Sequence, residues 1–276
     1  MTERKSWKIL SEGSRDDLVL AFDFPGVGRT EAGFTDLVSR LDTSELTVWE
    51  SITPSGAAAV GMSGDDYVDL WAEEVRAAGR PVRALLGYCV GSVFASAMGA
   101  RIGQWQEQAP QIIVFDPESP SVPSMYGNFY TSINMVGSAL SKEEVETAHQ
   151  AGLVAANEGG DDLRTVGTAL ATIFEATART AFDRLGLDPQ LRDELSQIFG
   201  SFTAYLVAAQ QIDPVAGLAL ATAITSSGSS SGAGWAAREI KFELSHEDLL
   251  RNDDVAKAVS EALDQTSGRT ADQPAG

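Results

Sequence analysis

Residues 82–102, VRALLGYCVGSVFASAMGARI, decide the fold. Val82 to Tyr88 is an apolar run of strand length, Gly87-Tyr88-Cys89-Val90-Gly91 is a tight turn, and Val90 to Ile102 is a helix built from small residues. This is the context a nucleophile elbow requires. A sharp strand-to-helix turn forces its central residue into strained backbone, and glycine on either side lets neighbouring chain approach where a Cβ would clash. Cys89 then stands at the amino end of a helix, where unpaired N–H groups and the helix dipole favour a thiolate. The plainer alternative is a buried structural cysteine, a common fate of free thiols.

Working outward, Leu18 to Phe24 is a short apolar strand ended by Pro25-Gly26-Val27-Gly28. A helix follows, capped by Thr30, with Phe34, Leu37, Val38 and Leu41 at helical spacing. Leu46 to Ile52 reads as a strand, Asp65 to Ala78 as a helix and Gln111 to Phe115 as another strand. Strands alternating with helices predict an α/β fold with a mostly parallel central sheet flanked by helices. Pro117, Pro120 and Pro123 then break the pattern, and a long helical signal runs from Ser141. It predicts an inserted helical lid over 126–213, within a core formed by 1–125 and 214–266 and followed by a disordered tail over 267–276. After Asp188-Pro189, the apolar residues Leu191, Leu195, Ile198, Phe202 and Tyr205 form one stripe. Packing accounts for that stripe, and lining a substrate channel would be an additional role. The sheet resumes with Gly217 to Thr225, a Gly/Ser-rich loop, and Arg238 to Leu244 as the last strand; His246 comes next, then a helix from Glu247 to Leu263.

Composition narrows the chemistry. In 276 residues, 39 Asp and Glu outnumber 20 Lys and Arg, and the net charge of −19 repels nucleic acid and polyphosphates. A carrier protein of the same sign would need a local basic or apolar patch. One cysteine and two histidines exclude a cysteine-rich zinc site and an internal disulfide, so no metal and no cofactor is expected. The first ten residues lack a secretory apolar core, and no apolar run reaches the roughly 18 residues of a membrane span. A cytoplasmic protein with no membrane partner is the expectation. Oligomeric state has no signature here.

Asp116 ends the strand after the elbow, and His246 follows the last strand. In an open parallel sheet the carboxyl ends of the strands share one rim, so Cys89, Asp116 and His246 can converge as nucleophile, orienting carboxylate and base. The other histidine, His149, lies in the charged stretch KEEVETAHQ and is expected on a solvated face. Asp248 is a weaker carboxylate candidate, and the end of the strand Gly217 to Thr225 offers Ser226 instead of an acid. For a developing oxyanion, the backbone N–H groups of Val90 and Val27 are the candidate donors.

These motifs resemble the thioesterase family of α/β-hydrolases that serves nonribosomal peptide and polyketide synthesis. LVLAFDFPGVGRTEAGFTDLVSRL is similar to that family's oxyanion strand, loop and helix, LLGYCVGSVFASAMGARI to its elbow, and FELSHEDLLRNDDVAKAVSEAL to its closing histidine and helix. Asp116 matches the carboxylate placement of chain-releasing thioesterase domains. The resemblance implies a triad of Cys89, His246 and Asp116 and a covalent acyl-Cys intermediate. It also implies an acyl or peptidyl carrier protein as partner, presenting a small-molecule acyl chain on phosphopantetheine. Cys89 departs from the family's usual serine, and release by hydrolysis, cyclisation or transfer stays open. The other readings are an acyl or aminoacyl shuttle between carriers, a dienelactone-type hydrolase of small esters, and a carrier-binding module without catalysis.

Overall fold

The computed structural model describes residues 5–24, 29–228 and 230–268. Among these, seven strands form one sheet: β1 (Trp7–Ser11), β2 (Leu18–Phe22), β3 (Thr47–Ser51), β4 (Val82–Tyr88), β5 (Gln111–Phe115), β6 (Thr222–Thr225) and β7 (Arg238–Lys241). Their spatial order is β1-β3-β2-β4-β5-β6-β7. Only β1 runs antiparallel to its neighbour, β3. All five residues of β2 are buried, as expected of a parallel strand covered on both faces. The strand order reverses between β2 and β4, which opens a crevice at their carboxyl ends.

Helices cover both faces. On one, α1 (Phe34–Val38) and α9 (Asp253–Gly268) bury Phe34, Leu37, Val255 and Val259 against Val19, Ala21, Leu86 and Tyr88. On the other, α2 (Gly64–Ala78) and α3 (Gly91–Ile102) pack Trp71 and Phe94 on Leu18, Leu20 and Phe22. Ser63 caps α2 by accepting from the Asp66 N–H while Asp66 accepts from the Ser63 N–H, and Gly79 closes the helix at φ 65°.

Between β5 and β6 stand four long helices, α4 (Val122–Val136), α5 (Lys142–Glu158), α6 (Leu163–Leu185) and α7 (Pro189–Ala209), and a short helical turn follows them. Each starts at a side-chain cap, Ser121, Ser141, Asp162 and Asp188 in turn. The stripe on α7 divides along its length. Leu191 is exposed, Phe202 meets Phe24 edge to face at 5.2 Å, and Tyr205 is buried against Phe94 and Tyr67. Among the described residues no helix is long and apolar enough to cross a membrane.

Several local expectations need correcting. The edge strand β1 carries little alternation in its sequence and is held by pairing with β3 and by the Trp7 indole donating to the Trp71 carbonyl. The predicted strand Gly217 to Thr225 divides into a helical turn, α8 (Val215–Leu218), and the shorter β6. Pro214 and Asp213 start that turn, and Gly217 sits where a Cβ would lie 2.6 Å from Ser96 Cβ. Gly33, not Thr30, precedes α1, its N–H held by Asp36. The last helix begins as a 3-10 segment over His246–Arg251 before α9, and α9 continues to Gly268, into the expected tail. The tail beyond Gly268 lies outside the described residues. His149 is buried rather than solvated: it stacks on Tyr130 at 3.9 Å, and its Nε2 has no partner.

Candidate active site

Among the described residues, two non-glycine residues have positive φ: Cys89 at 51° and Asp116 at 40°. Such backbone persists only where its surroundings enforce it, and functional sites are where it concentrates. The enforcement at Cys89 is visible. A Cβ on Gly87 would lie 2.5 Å from Ser92 Cα, and one on Gly91 would lie 2.1 Å from the Phe22 carbonyl oxygen. The two glycines let α3 press against the ends of β4 and β2. The Cys89 N–H donates to the Phe115 carbonyl at 2.9 Å, and its own carbonyl accepts from the Glu118 N–H at 3.2 Å and from the Ser92 hydroxyl.

Register does the rest. Tyr88 pairs with Phe115 and Phe115 with Ile224, so Cys89 and Asp116 leave neighbouring strands at the same level. Asp116 is 4% exposed, and one of its oxygens accepts from the Ser226 N–H at 2.8 Å. The other meets His246 Nδ1 at 2.7 Å. Burial works against the Asp116 anion, but the bonds from His246 and Ser226 outweigh it and hold the carboxyl below its ordinary range. Asp248 is engaged with Ser245 instead, which leaves Asp116 as the imidazole's carboxylate.

His246 is 38% exposed at its side chain and reaches the rim from the loop after β7. Tyr88 steadies it, stacking on the imidazole at 4.8 Å and donating its hydroxyl to the His246 carbonyl at 3.1 Å. The structure therefore joins Asp116 to His246 directly and Cys89 to His246 through the adjacent Tyr88. Among the described residues no hydrogen bond closes the sulfur–imidazole arm. Such bonds are often long before substrate arrives.

At Cys89 burial opposes the ionisation that the helix position favours. Burial pushes the Cys89 thiol up to about 12, and the negative charge of Glu118 adds to the effect. The Val90 N–H, which faces the sulfur, pulls the other way without prevailing. Of the two oxyanion donors, Val90 is thus beside the sulfur at the start of α3, whereas Val27 lies outside the described residues.

Sequence reasoning missed three side chains at this mouth. Asp23, the residue after β2, is 6% exposed and carries an ion pair at 2.5 Å with Arg29, which also donates to the carbonyls of Phe24 and Ala32 and lies over the Tyr88 ring. Burial raises the Asp23 carboxyl to about 6 despite that pair. Arg29 thereby joins Asp23 and Phe24 to Ala32, and the Ala32 N–H to Glu247 carbonyl bond ties Ala32 to the segment bearing His246. Glu118 is the third. A charged residue directly after an apolar strand was the available signal for Asp23; nothing in the pattern marked Arg29 or Glu118.

Beside the rim, Phe24, Asn128, Ser132, Met135, Phe174 and α7 residues enclose a cavity of ≈ 20 Å³. No group of three or more His, Cys, Asp and Glu placed to hold a metal occurs among the described residues.

No family model matches the chain, and no curated protein matches it either. Solved structures do. A NocB thioesterase domain in covalent complex with a fluorophosphonate nocardicin G analogue superposes with a TM-score of 0.52 at 16% identity, over 93% of this chain and 99% of that one. A structure from work on carboxylesterases of the thaumarchaeon Nitrososphaera gargenis gives 0.52 at 12%, over 95% of each chain. Homoserine O-acetyltransferase from Staphylococcus aureus gives 0.52 at 10%, over 93% and 88%. At these identities the likeness is one of architecture, and with the sheet order and the helices on both faces it establishes that this chain has the α/β-hydrolase fold.

Proposed function

We propose that this chain is a thioesterase or acyltransferase that receives an acyl or peptidyl group on Cys89 from the phosphopantetheine thiol of a carrier protein. The observation that carries the reading is the His246–Asp116 pair at 2.7 Å beside a cysteine held at φ 51°. The likeness in fold to the NocB thioesterase domain supports it.

In the first step His246 removes the Cys89 proton as sulfur attacks the thioester carbonyl, and it returns that proton to the departing pantetheine sulfur. A thiol kept neutral by burial suits this order, because ionisation is then confined to the attack, as with a serine hydroxyl. Asp116, acceptor-only when ionised, fixes Nδ1–H toward itself and steadies the imidazolium that forms. The Val90 N–H lies where charge develops on the carbonyl oxygen. Exchange of one thioester for another is nearly thermoneutral, so the acyl-Cys enzyme stays reactive toward water, an amine or a second thiol.

Helices α4–α7 act as the lid in this reading. Phe24, beside Asp23, meets Phe202 of α7 edge to face, so α7 packs against the mouth. In this role the helices limit water during the life of the intermediate. Intact-protein mass spectrometry after mixing with acyl N-acetylcysteamine thioesters tests the assignment: a single acyl adduct on the wild type, absent in Cys89→Ala, is the expected result. An equal adduct on the variant would place the nucleophile elsewhere.

A further inference from the structure

The charges around Cys89 do not balance, and the excess has one owner. Asp23 is paired with Arg29 at 2.5 Å, and Asp116 with His246 at 2.7 Å. Glu118 has no ion pair among the described residues; its carboxylate accepts from the Ser231 hydroxyl at 3.3 Å. Its backbone is fixed to the elbow by the N–H bond to the Cys89 carbonyl. The segment around it is clasped by the loop after β6: the Ser119 N–H donates to Ser231 Oγ at 2.8 Å, and the Ser230 hydroxyl and Gly232 N–H donate to the Pro117 carbonyl. Glu118 is thus a half-buried acid held beside the nucleophile, within electrostatic reach of Cys89, His246 and Asp116. Burial raises its carboxyl above the ordinary value, as an acid lacking a counter-charge should behave.

Such a group disfavours the chemistry proposed for its neighbour, because it opposes negative charge on sulfur and on the oxyanion. A cation supplied by the substrate would remove the penalty and convert the acid into a recognition element. We propose that Glu118 is a specificity-determining residue that binds a primary ammonium carried by a small-molecule substrate, either on the acyl group being loaded or on the amine that accepts it. This rests on the acyl-Cys89 reading. When the amine is the acceptor, an ammonium proton passes to solvent, the nitrogen bonds to the acyl carbon as the carbon–sulfur bond breaks, and a second proton ends on Cys89 sulfur.

The test loads the full chain with 3-aminopropionyl and butanoyl N-acetylcysteamine thioesters, near-isosteres differing by one charge, and follows acyl-Cys formation by intact mass. The wild type should load the ammonium form about tenfold faster per unit concentration. Glu118→Gln should erase that preference, the charged arm slowing while the butanoyl arm, relieved of the opposing charge, is unchanged or faster. Slowing of both arms alike would make Glu118 structural and overturn the assignment. In the second arm, butanoyl-loaded enzyme is mixed with propylamine. Amide release by the wild type that Glu118→Gln loses places the ammonium on the acceptor, whereas a preference confined to loading places it on the donor; neither effect overturns the proposal. Calorimetric titration of Cys89→Ala with the amide analogues of both probes reads recognition without acylation. Equal affinities reject an ammonium site for the acyl donor, and together with amide release unaffected by Glu118→Gln they reject the ammonium site altogether. Selective binding by that variant, with no adduct on the wild type, would instead reject the acyl-Cys reading alone.

Discussion

Asp23 and Asp116 occupy equivalent places on opposite sides of the elbow. Each follows a parallel strand, each is almost completely buried, and each has one basic partner, yet their carboxyls shift in opposite directions. Around Asp116 the donors match the oxygens: the Ser226 N–H serves one and His246 the other. Asp23 has Arg29 and the Phe24 N–H, but there burial outweighs them, and Glu50 adds a like charge. A buried carboxylate with a cation beside it is thus not automatically a stabilised anion; desolvation can exceed the Coulombic return. The lesson assigns different work to the two. In the proposed mechanism Asp116 orients the base, whereas Asp23 ties Arg29 to the end of β2.

The comparison is broken most severely at Asp116. Asp116→Asn should lower turnover by on the order of 10⁴-fold, because an amide stabilises the imidazolium poorly and holds the wrong tautomer. Its thermal unfolding should fall only modestly, since the amide keeps the hydrogen-bonding positions and loses only the stabilised charge. Asp23→Asn should do the reverse, sparing the chemistry and acting on stability, though weakly at pH 7, because the Arg29 pair it loses is offset by the desolvated carboxylate charge it removes and Glu31 remains beside Arg29. Denaturant midpoints and single-turnover rates on the same two variants decide the matter, and similar losses of both kinds in each would dissolve the distinction. The pH dependence separates them further. With its carboxyl raised to about 6 against 3.8 for the free group, folded Asp23 holds its proton where the unfolded chain has lost it, so its contribution falls as pH rises from about 4 to 6. Asp116, lowered, contributes fully above the ordinary carboxylate value and loses that contribution as pH falls through its folded value. Removing Asp23 should therefore make stability rise more, or fall less, between pH 4 and 6; removing Asp116 should blunt the acid loss below about pH 4.

The same asymmetry limits what the chain discloses about itself. The elbow was legible because its constraint is local: Gly87 and Gly91 are needed within two residues of Cys89, and the strand and helix beside them have opposite periodicities. Asp116 and His246 were legible because strand ends converge by topology alone. Arg29, Asp23 and Glu118 were not, since an ion pair formed across a loop and an acid clasped by Ser231 depend on how segments far apart in sequence fold back. The Gly217 to Thr225 run misled for a different reason: a short apolar stretch has no period that separates a helical turn from a strand, and tertiary packing of Gly217 on Ser96 decided it. His149 misled because its charged sequence neighbours face water while the ring itself turns onto Tyr130.

Cys89 reports which side of the mouth governs the sulfur. Glu118 and Asp23 both oppose its ionisation, whereas Asp116 is absorbed by His246 and Ser226. With the thiol pushed up to about 12, iodoacetamide should alkylate it roughly 10- to 100-fold more slowly at pH 7 than an ordinary exposed cysteine, the fall in thiolate fraction being partly offset by greater intrinsic nucleophilicity. Glu118→Gln should speed the reaction and Asp116→Asn should not. A fast reaction with a plateau below pH 8 would show a preformed thiolate and remove the likeness to a serine mechanism.

The smallest expected effect lies at the residue between the two sides. Tyr88 stacks on His246, carries Arg29 over its ring, and donates its hydroxyl to the His246 carbonyl. Tyr88→Phe keeps the stack and removes only the hydroxyl, so it should cost about 1 kcal/mol of stability, the net worth of one hydrogen bond. If that bond sets the height of the imidazole relative to Cys89, acylation should slow by a few-fold while the affinity for unreactive amide analogues is unchanged. Loss of stability with an unaltered acylation rate would mean that the stack and the Asp116 bond suffice to place His246, and that Tyr88 serves the Arg29 side of the mouth instead.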